Sequence, residues 1–282
     1  MTAAGASTPA PDPVVQGASA PCAWEITGNT AGPTLVFIHG WPDDARLWRR
    51  QVAALEPHFR CALITLPNFG QRAEKAGGFD FPELVERLAA TIRAVHPEGP
   101  VGLVTHDWGA YLGYQLDQAH PGLVHRIAAL DVGGHLGRPG VKAALMVVGY
   151  QWGLVAAWLA GGLFAPLGNL LARGIGRTVR VPAAQRARIR SRFGYLSFYY
   201  WRNLLLPGKR AGLLAGYRPT CPVLYLWGER KPLQFHSPRW LEIVALSGGR
   251  AQGLAGAGHW LMETHADPVN AALLAWFKNK KA

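Results

Sequence analysis

Short, continuous apolar runs punctuate the chain: "TLVFIHG" at 34–40, "CALITLP" at 61–67, "VGLVTHD" at 101–107, "RIAALDV" at 126–132 and "PVLYLWG" at 222–228. Each has strand length and lacks polar alternation, which is the pattern of a strand covered on both faces in a parallel sheet. Amphipathic stretches of helical length lie between or after them, at 44–55, 81–96, 108–120 and 268–281. Asp44 and Asp80 stand where an N-cap would start two of these helices. Strand and helix in alternation predict an α/β fold, a doubly wound and mostly parallel sheet with its ligand site at the carboxyl ends of the strands.

The alternation stops after Asp131 and resumes at Pro222. Between them lie apolar helical runs, glycines and arginines, which predict an inserted helical cap over 138–217. The core would then comprise 23–137 and 218–282. Residues 1–22, rich in Ala, Pro, Ser and Gly without a basic start or apolar run, are expected to be a disordered tail.

Charge sharpens this division. The net charge is +12, yet residues 132–228 contain no Asp or Glu and thirteen Lys and Arg. The rest of the chain holds sixteen basic against seventeen acidic residues. All the excess therefore lies on the expected cap, as befits a unit with its own surface. Residues 143–172 are uncharged, and seven arginines follow between Arg173 and Arg192. Buried cap helices lining an apolar pocket explain the run; peripheral contact of a basic, apolar cap with a membrane is the sharper expectation. Nucleic acid is not expected as a partner, since no recognisable binding module accompanies the charge.

Composition adds little more. At 282 residues and 49% hydrophobic, the chain suits one large domain with an insertion. Cys22, Cys61 and Cys221 have neither disulfide nor zinc spacing, which favours a reducing, cytoplasmic compartment. Neither a metal cluster nor a P-loop nor a dinucleotide fingerprint is evident, so no metal or cofactor is expected.

The chemistry concentrates in three motifs. Thr105-His-Asp-Trp-Gly-Ala110 follows a strand and opens a helix, with small residues flanking a turn whose central side chain is Asp107. This is the form of a nucleophile elbow, although Asp is also a common helix cap. "FIHGWPDD" ends another strand, and "GAGHWLMETHADP" places His259 in a glycine-rich loop before the last helix. His265 is a rival base, but its place by the last helix favours the surface.

Together these motifs resemble the α/β-hydrolase superfamily over about 23–280, and His-Gly-Trp-Pro with His-Asp-Trp-Gly resembles its epoxide hydrolase branch, to which haloalkane dehalogenases are related. The resemblance implies that Asp107 attacks carbon to form an enzyme ester and that His259 activates the water that cleaves it. It further implies an oxyanion hole of Trp41 and Trp108 backbone N–H groups. Many relatives carry the triad acid in a Gly-Glu-x-Asp run, where this chain has Gly228-Glu-Arg-Lys231. A lysine cannot support an imidazolium, so Asp131, at the end of the preceding strand, is the preferred acid. Glu229 is the alternative, unless it merely pairs with Arg230 or Lys231.

Epoxide hydrolases of this kind protonate the opening oxygen from cap tyrosines. Tyr150, in a Tyr-Gln context, resembles the first. "LSFYYWRNLL" resembles the stretch bearing the second, but Trp201 fills the direct register; Tyr200 is the candidate there, with Tyr199 and Tyr195 as alternatives, each also explicable as aromatic core. Dehalogenases instead need N–H donors for halide, for which Trp108 with Trp41, Trp152, Trp158 or Trp201 is available.

The leading expectation is thus a hydrolase that opens epoxides of a small apolar substrate to vicinal diols. Haloalkane dehalogenation by the same triad is the first alternative. A catalytically silent hydrolase-fold binding protein is the second, favoured by Lys231 and by the altered "TLPNFG" loop.

Overall fold

The computed structural model describes residues 20–137, 140–206, 214, 216–231 and 233–279. Among these residues seven strands form one sheet: β1 (Ala23–Gly28), β2 (Thr34–Ile38), β3 (Arg60–Thr65), β4 (Val101–His106), β5 (Val124–Leu130), β6 (Val223–Gly228) and β7 (Arg250–Leu254). Their order is β1-β3-β2-β4-β5-β6-β7, with β1 antiparallel and the others parallel.

The central strands coincide with the expected apolar runs to within a few residues. Every residue of β2 and β4 is buried, as two covered faces require. The two edge strands and two of the core helices differ from the sequence expectation. β1 is almost wholly exposed and only the last residue of β7 is buried, so neither carries the apolar signature of a covered strand.

Helices pack on both faces: α1 (Arg49–Leu55), α2 (Phe81–Val95), α3 (Trp108–Ala119), and, after the cap, α8 (Pro238–Leu246), α9 (Leu261–Thr264) and α10 (Ala266–Lys278). α8 and the one-turn α9 are the unexpected ones. The helix expected from residue 44 begins instead as a 3-10 turn, Ala45–Trp48, capped by Asp44, which accepts from Arg46 N–H. Asp80 accepts from Phe81 N–H and starts α2.

The expected tail is corrected at its end. Residues 1–19 lie outside the described residues, but Cys22 is buried and its N–H donates to Thr91 Oγ1 at 2.8 Å. The folded unit therefore includes Cys22.

Between β5 and β6 the chain forms the helical cap: α4 (Val141–Leu163), α5 (Ala165–Thr178), α6 (Ala183–Arg186), a 3-10 turn at Ser191–Gly194, and α7 (Tyr195–Leu205). The expected cap boundary at 138 lies outside the described residues; the one at 217 is described, and Tyr217 is buried with its OH donating to Asp117 Oδ2 of α3 at 2.7 Å. α4 and α5 form a hairpin whose helices meet at glycines. A Cβ on Gly168 would sit 2.3 Å from Gly161 Cα, so only glycine permits this approach. The cap is tied to the core by polar contacts. Arg192 donates to the carbonyls of Asn68, Gly70 and Gln71. Arg202 pairs with Asp80, and Asn203 Nδ2 donates to Asp80 Oδ1 at 2.8 Å. Phe193 stacks on Phe69 at 4.5 Å.

Register determines where the site forms. Ile38 pairs with Thr105, His106 with Leu130, and Leu130 with Leu226. The carboxyl ends of β2, β4, β5 and β6 are therefore level, and the residues that follow them emerge side by side.

Candidate active site

Asp107 follows β4 and precedes α3 with φ 54° and ψ −123°, a backbone conformation that costs a non-glycine residue on the order of 1–3 kcal/mol. The turn is possible because its neighbours are small. A Cβ on Gly109 would lie 2.2 Å from Ile38 carbonyl oxygen, and one on Gly40 would lie 2.5 Å from Asp107 Oδ2. Gly40 also lets the β2 loop pass close over the carboxylate. That loop contains a cis Trp41–Pro42 peptide. His39 fixes its root: His39 Nε2 accepts from Leu66 N–H at 3.0 Å, and burial lowers its pKa to about 4, so the ring is neutral.

Trp41 N–H donates to Asp107 Oδ2 at 2.9 Å, and Trp108 N–H also bonds the Asp107 carboxylate. The two backbone groups expected as an oxyanion hole thus both engage the Asp107 carboxylate, Trp41 at Oδ2. The other oxygen, Oδ1, lies 3.7 Å from His259 Nε2, beyond hydrogen-bond distance. Burial raises the Asp107 pKa, while the His259 charge and the two N–H groups oppose that rise.

His259 is oriented from two sides. Its Nδ1 meets Asp131 Oδ2 at 2.5 Å, and its carbonyl accepts from His106 Nε2 at 3.1 Å. His106, the residue before Asp107, is fully buried and burial holds its pKa well below the usual value; as a neutral ring it positions the His259 loop. Burial disfavours the His259 cation, but the Asp131 hydrogen bond and the charges of Asp131 and Asp107 outweigh it and raise the His259 pKa.

Asp131 is fully buried at φ 71°. Its N–H donates to Leu226 carbonyl at 2.7 Å, and its Oδ1 accepts from Gly228 N–H at 3.1 Å and from Lys231 Nζ. Burial raises its pKa, but His259 and Lys231 overcompensate, so the carboxyl stays ionised. Glu229 is exposed, beside Gly253, and Lys231 pairs with Asp131. His265 sits at the start of α10 with Nδ1 against Thr264 Oγ1.

The cap closes over this group. Tyr150, on α4, packs edge-on against Trp41 at 5.8 Å; burial and the nearby Asp107 charge raise its pKa well above the usual value. Tyr200, on α7, lies 5.9 Å from Trp108 and 6.2 Å from Tyr111, and burial raises its pKa. The two alternatives are engaged elsewhere: Tyr195 OH donates to Pro67 carbonyl at 3.0 Å and Tyr199 OH to Gly77 carbonyl at 3.1 Å. Of the indoles considered as halide donors, Trp41 and Trp201 have Nε1 groups buried without a hydrogen-bond partner among the described residues, as do Trp48, Trp240 and Trp276 elsewhere. Trp201 packs against the exposed Trp152, and Trp158 against Phe198.

Two groups escaped the sequence reading. In the sequence Lys231 stands out as a missing acid and as a neighbour for Glu229, with no sign of its contact with Asp131. Asp43, the first acid of "GWPDD", is buried with Oδ2 accepting from Trp260 Nε1 at 3.0 Å and Oδ1 unpartnered among the described residues. Burial pushes its pKa up to about 7. The tandem aspartates were the available signal, but Asp44 alone was read, as a cap. Among the described residues no cluster of His, Cys, Asp or Glu could hold a metal ion.

A family model of the alpha/beta hydrolase family matches residues 35–272. Epoxide hydrolase 3 of Mus musculus is 22% identical over 89% of this chain and 72% of its own length. Epoxide hydrolase srdG of Neurospora crassa is 35% identical over 35% of the chain and 30% of its own length, and a haloalkane dehalogenase of Mesorhizobium japonicum is 29% identical over 38% and 34%. The chain thus spans about a third of the length of these last two relatives. A Bacillus megaterium epoxide hydrolase structure superposes with a TM-score of 0.69, at 20% identity, over 92% of this chain and 97% of that one. A haloalkane dehalogenase from Bradyrhizobium elkanii gives 0.64, at 18%, over 90% and 91%. The chain belongs to the alpha/beta hydrolase family, with epoxide hydrolases and haloalkane dehalogenases among its relatives.

Proposed function

We propose that this protein hydrolyses epoxides to vicinal diols through an ester on Asp107. One observation carries the reading: a half-buried carboxylate on a sharp turn accepts from Trp41 N–H at Oδ2 and from Trp108 N–H, and its Oδ1 faces His259 Nε2 across 3.7 Å. A carboxylate needs no base to become a nucleophile, and its alkyl ester can be cleaved at its own carbonyl.

In the first step an Asp107 Oδ1 lone pair attacks an epoxide carbon and the carbon–oxygen bond breaks. The alkoxide takes a proton from Tyr150 or Tyr200. Burial keeps both hydroxyls protonated at neutral pH, which suits them as donors. In the second step His259 Nε2 removes a proton from water, and the oxygen adds to Asp107 Cγ. Negative charge then develops on Oδ2, which already accepts from Trp41 N–H, with Trp108 N–H also on this carboxylate. Collapse breaks the bond from Asp107 Cγ to the ester oxygen, which takes the proton from His259 to complete the diol; the proton of the added hydroxyl returns to the tyrosinate, restoring carboxylate, imidazole and tyrosine.

The electrostatics favour this order. In the free enzyme the Asp107 charge helps to raise the His259 pKa. Esterification removes that charge, so the imidazole gives up its proton more readily when it must act as base.

Haloalkane dehalogenation is a second reading, supported by the unpartnered Trp41 and Trp201 Nε1 groups, which are chemically suited to receive halide. His259→Gln tests both. Incubated with an epoxide it is expected to gain the mass of the epoxide on Asp107 without releasing diol, and Asp107→Asn is expected to gain none. An adduct only from haloalkanes, with halide released, would establish the second reading. Neither adduct nor wild-type turnover from either panel would leave a silent binding protein.

A further inference from the structure

We propose that the outer face of the α4–α5 hairpin docks on an anionic lipid bilayer. α4 is long and apolar enough to cross a membrane. It is inserted between β5 and β6, neighbouring strands of one sheet, so it can lie on a bilayer but cannot span one without unmaking the fold. Its buried residues are Leu154, Val155 and Ala157. Val141, Leu145, Val148, Trp152, Leu159 and Leu163 are exposed, spaced every three, four or seven residues. That spacing places them along one side of the helix, over a length of roughly 33 Å.

The stripe continues around the hairpin. Leu163 is 94% and Phe164 61% exposed, and Leu167, Leu170 and Leu171 follow on α5. Soluble monomers rarely leave so many large apolar side chains together in water. The same α4 carries Tyr150 against Trp41, so the apolar face is the back of a wall of the active site.

Charge selects the occupant. Beyond Leu171, α5 carries Arg173, whose Nε donates to Ile189 carbonyl at 3.3 Å, and Arg177, and Arg180 follows two residues past its end. Among the described residues no carboxylate pairs with these three, nor with Lys142, Arg186 or Arg190. With residues 132–228 free of acids, a second copy seated face to face would oppose one uncompensated positive field to another. An anionic bilayer offers hydrocarbon to the leucines and negative headgroups to the arginines, whose long stems can reach between the two.

The test is flotation of the full chain with phosphatidylcholine vesicles, alone or mixed with phosphatidylglycerol, at low and raised salt. The protein should float with the mixed vesicles, less so as salt rises, and remain unbound with phosphatidylcholine alone. Leu159→Glu/Leu163→Glu/Phe164→Glu should weaken binding at least about tenfold, as should Arg173→Gln/Arg177→Gln/Arg180→Gln. Both variants should keep the wild-type circular dichroism and turnover of a water-soluble epoxide. If epoxide turnover is absent throughout, the flotation result still stands on its own. A protein that fails to float with anionic vesicles overturns the proposal, whether it is then a dimer, which would mark a self-association face, or a monomer. Equal binding by the glutamate variant overturns it as well.

Discussion

Lys231 touches the same carboxylate as His259, and its ammonium disfavours the imidazolium nearby. Its removal should raise the His259 pKa further. Since the base works only when neutral, Lys231→Met should move the acid limb of the kcat–pH profile upward, by about one unit, and lower stability by about 3 kcal/mol. An unmoved limb would reduce Lys231 to a structural pair. Asp43 makes a different prediction. Its folded pKa, about 7, lies above that of a free aspartate. The native state therefore binds a proton that the unfolded chain has lost, and stability falls as pH rises from about 4 through 7. Asp43→Asn should flatten that part of the stability curve. Among the tyrosines, Tyr150→Phe and Tyr200→Phe should slow epoxide opening by about 10²–10⁴-fold. Tyr195→Phe and Tyr199→Phe should leave turnover intact and cost about 1 kcal/mol in thermal unfolding. Motif spacing made Asp107, Asp131 and His259 legible, because an elbow, a strand end and a glycine-rich loop each have local signatures. Lys231 and Asp43 were illegible because their significance is burial against partners 100 and 217 residues away.

Elements were legible where burial was uniform. β2 and β4, buried on both faces, appear as unbroken apolar runs, whereas β1 pairs through backbone alone at an exposed edge and leaves no such trace. The cap showed itself by charge more than by periodicity, and its attachments were hidden. Asp80 was read as a helix cap, yet it also receives Arg202 and Asn203 from α7, so one carboxylate starts α2 and fastens the cap. Asp80→Ala and Arg202→Ala should each lower stability, the first by about 2 kcal/mol. Their double variant should lose less than the sum, since both remove one contact. Strict additivity in thermal unfolding would show that the pair contributes nothing.

For the molecule as a whole, a nearly neutral core bears a cap of one sign. Cap cations repel one another across water, and salt shortens that repulsion to about 10 Å at 0.1 M. Thermal stability should therefore rise with ionic strength, and Arg177→Gln/Arg180→Gln should blunt the rise. A flat salt response would mean that the cap charges are too dispersed to interact. The order of the strands has a temporal consequence. Trp41, Asp107 and Asp131 all lie in the first 131 residues, on adjoining strands that pair without the cap. His259 follows only after β6 and β7 have been added. Under the proposed function, the carboxylate, its N–H donors and Asp131 belong to strands that pair before β6 and β7 are added, and the proposed base joins them only through those later strands. A chain whose β6 and β7 have not yet paired would thus hold the carboxylate without the histidine proposed to free it.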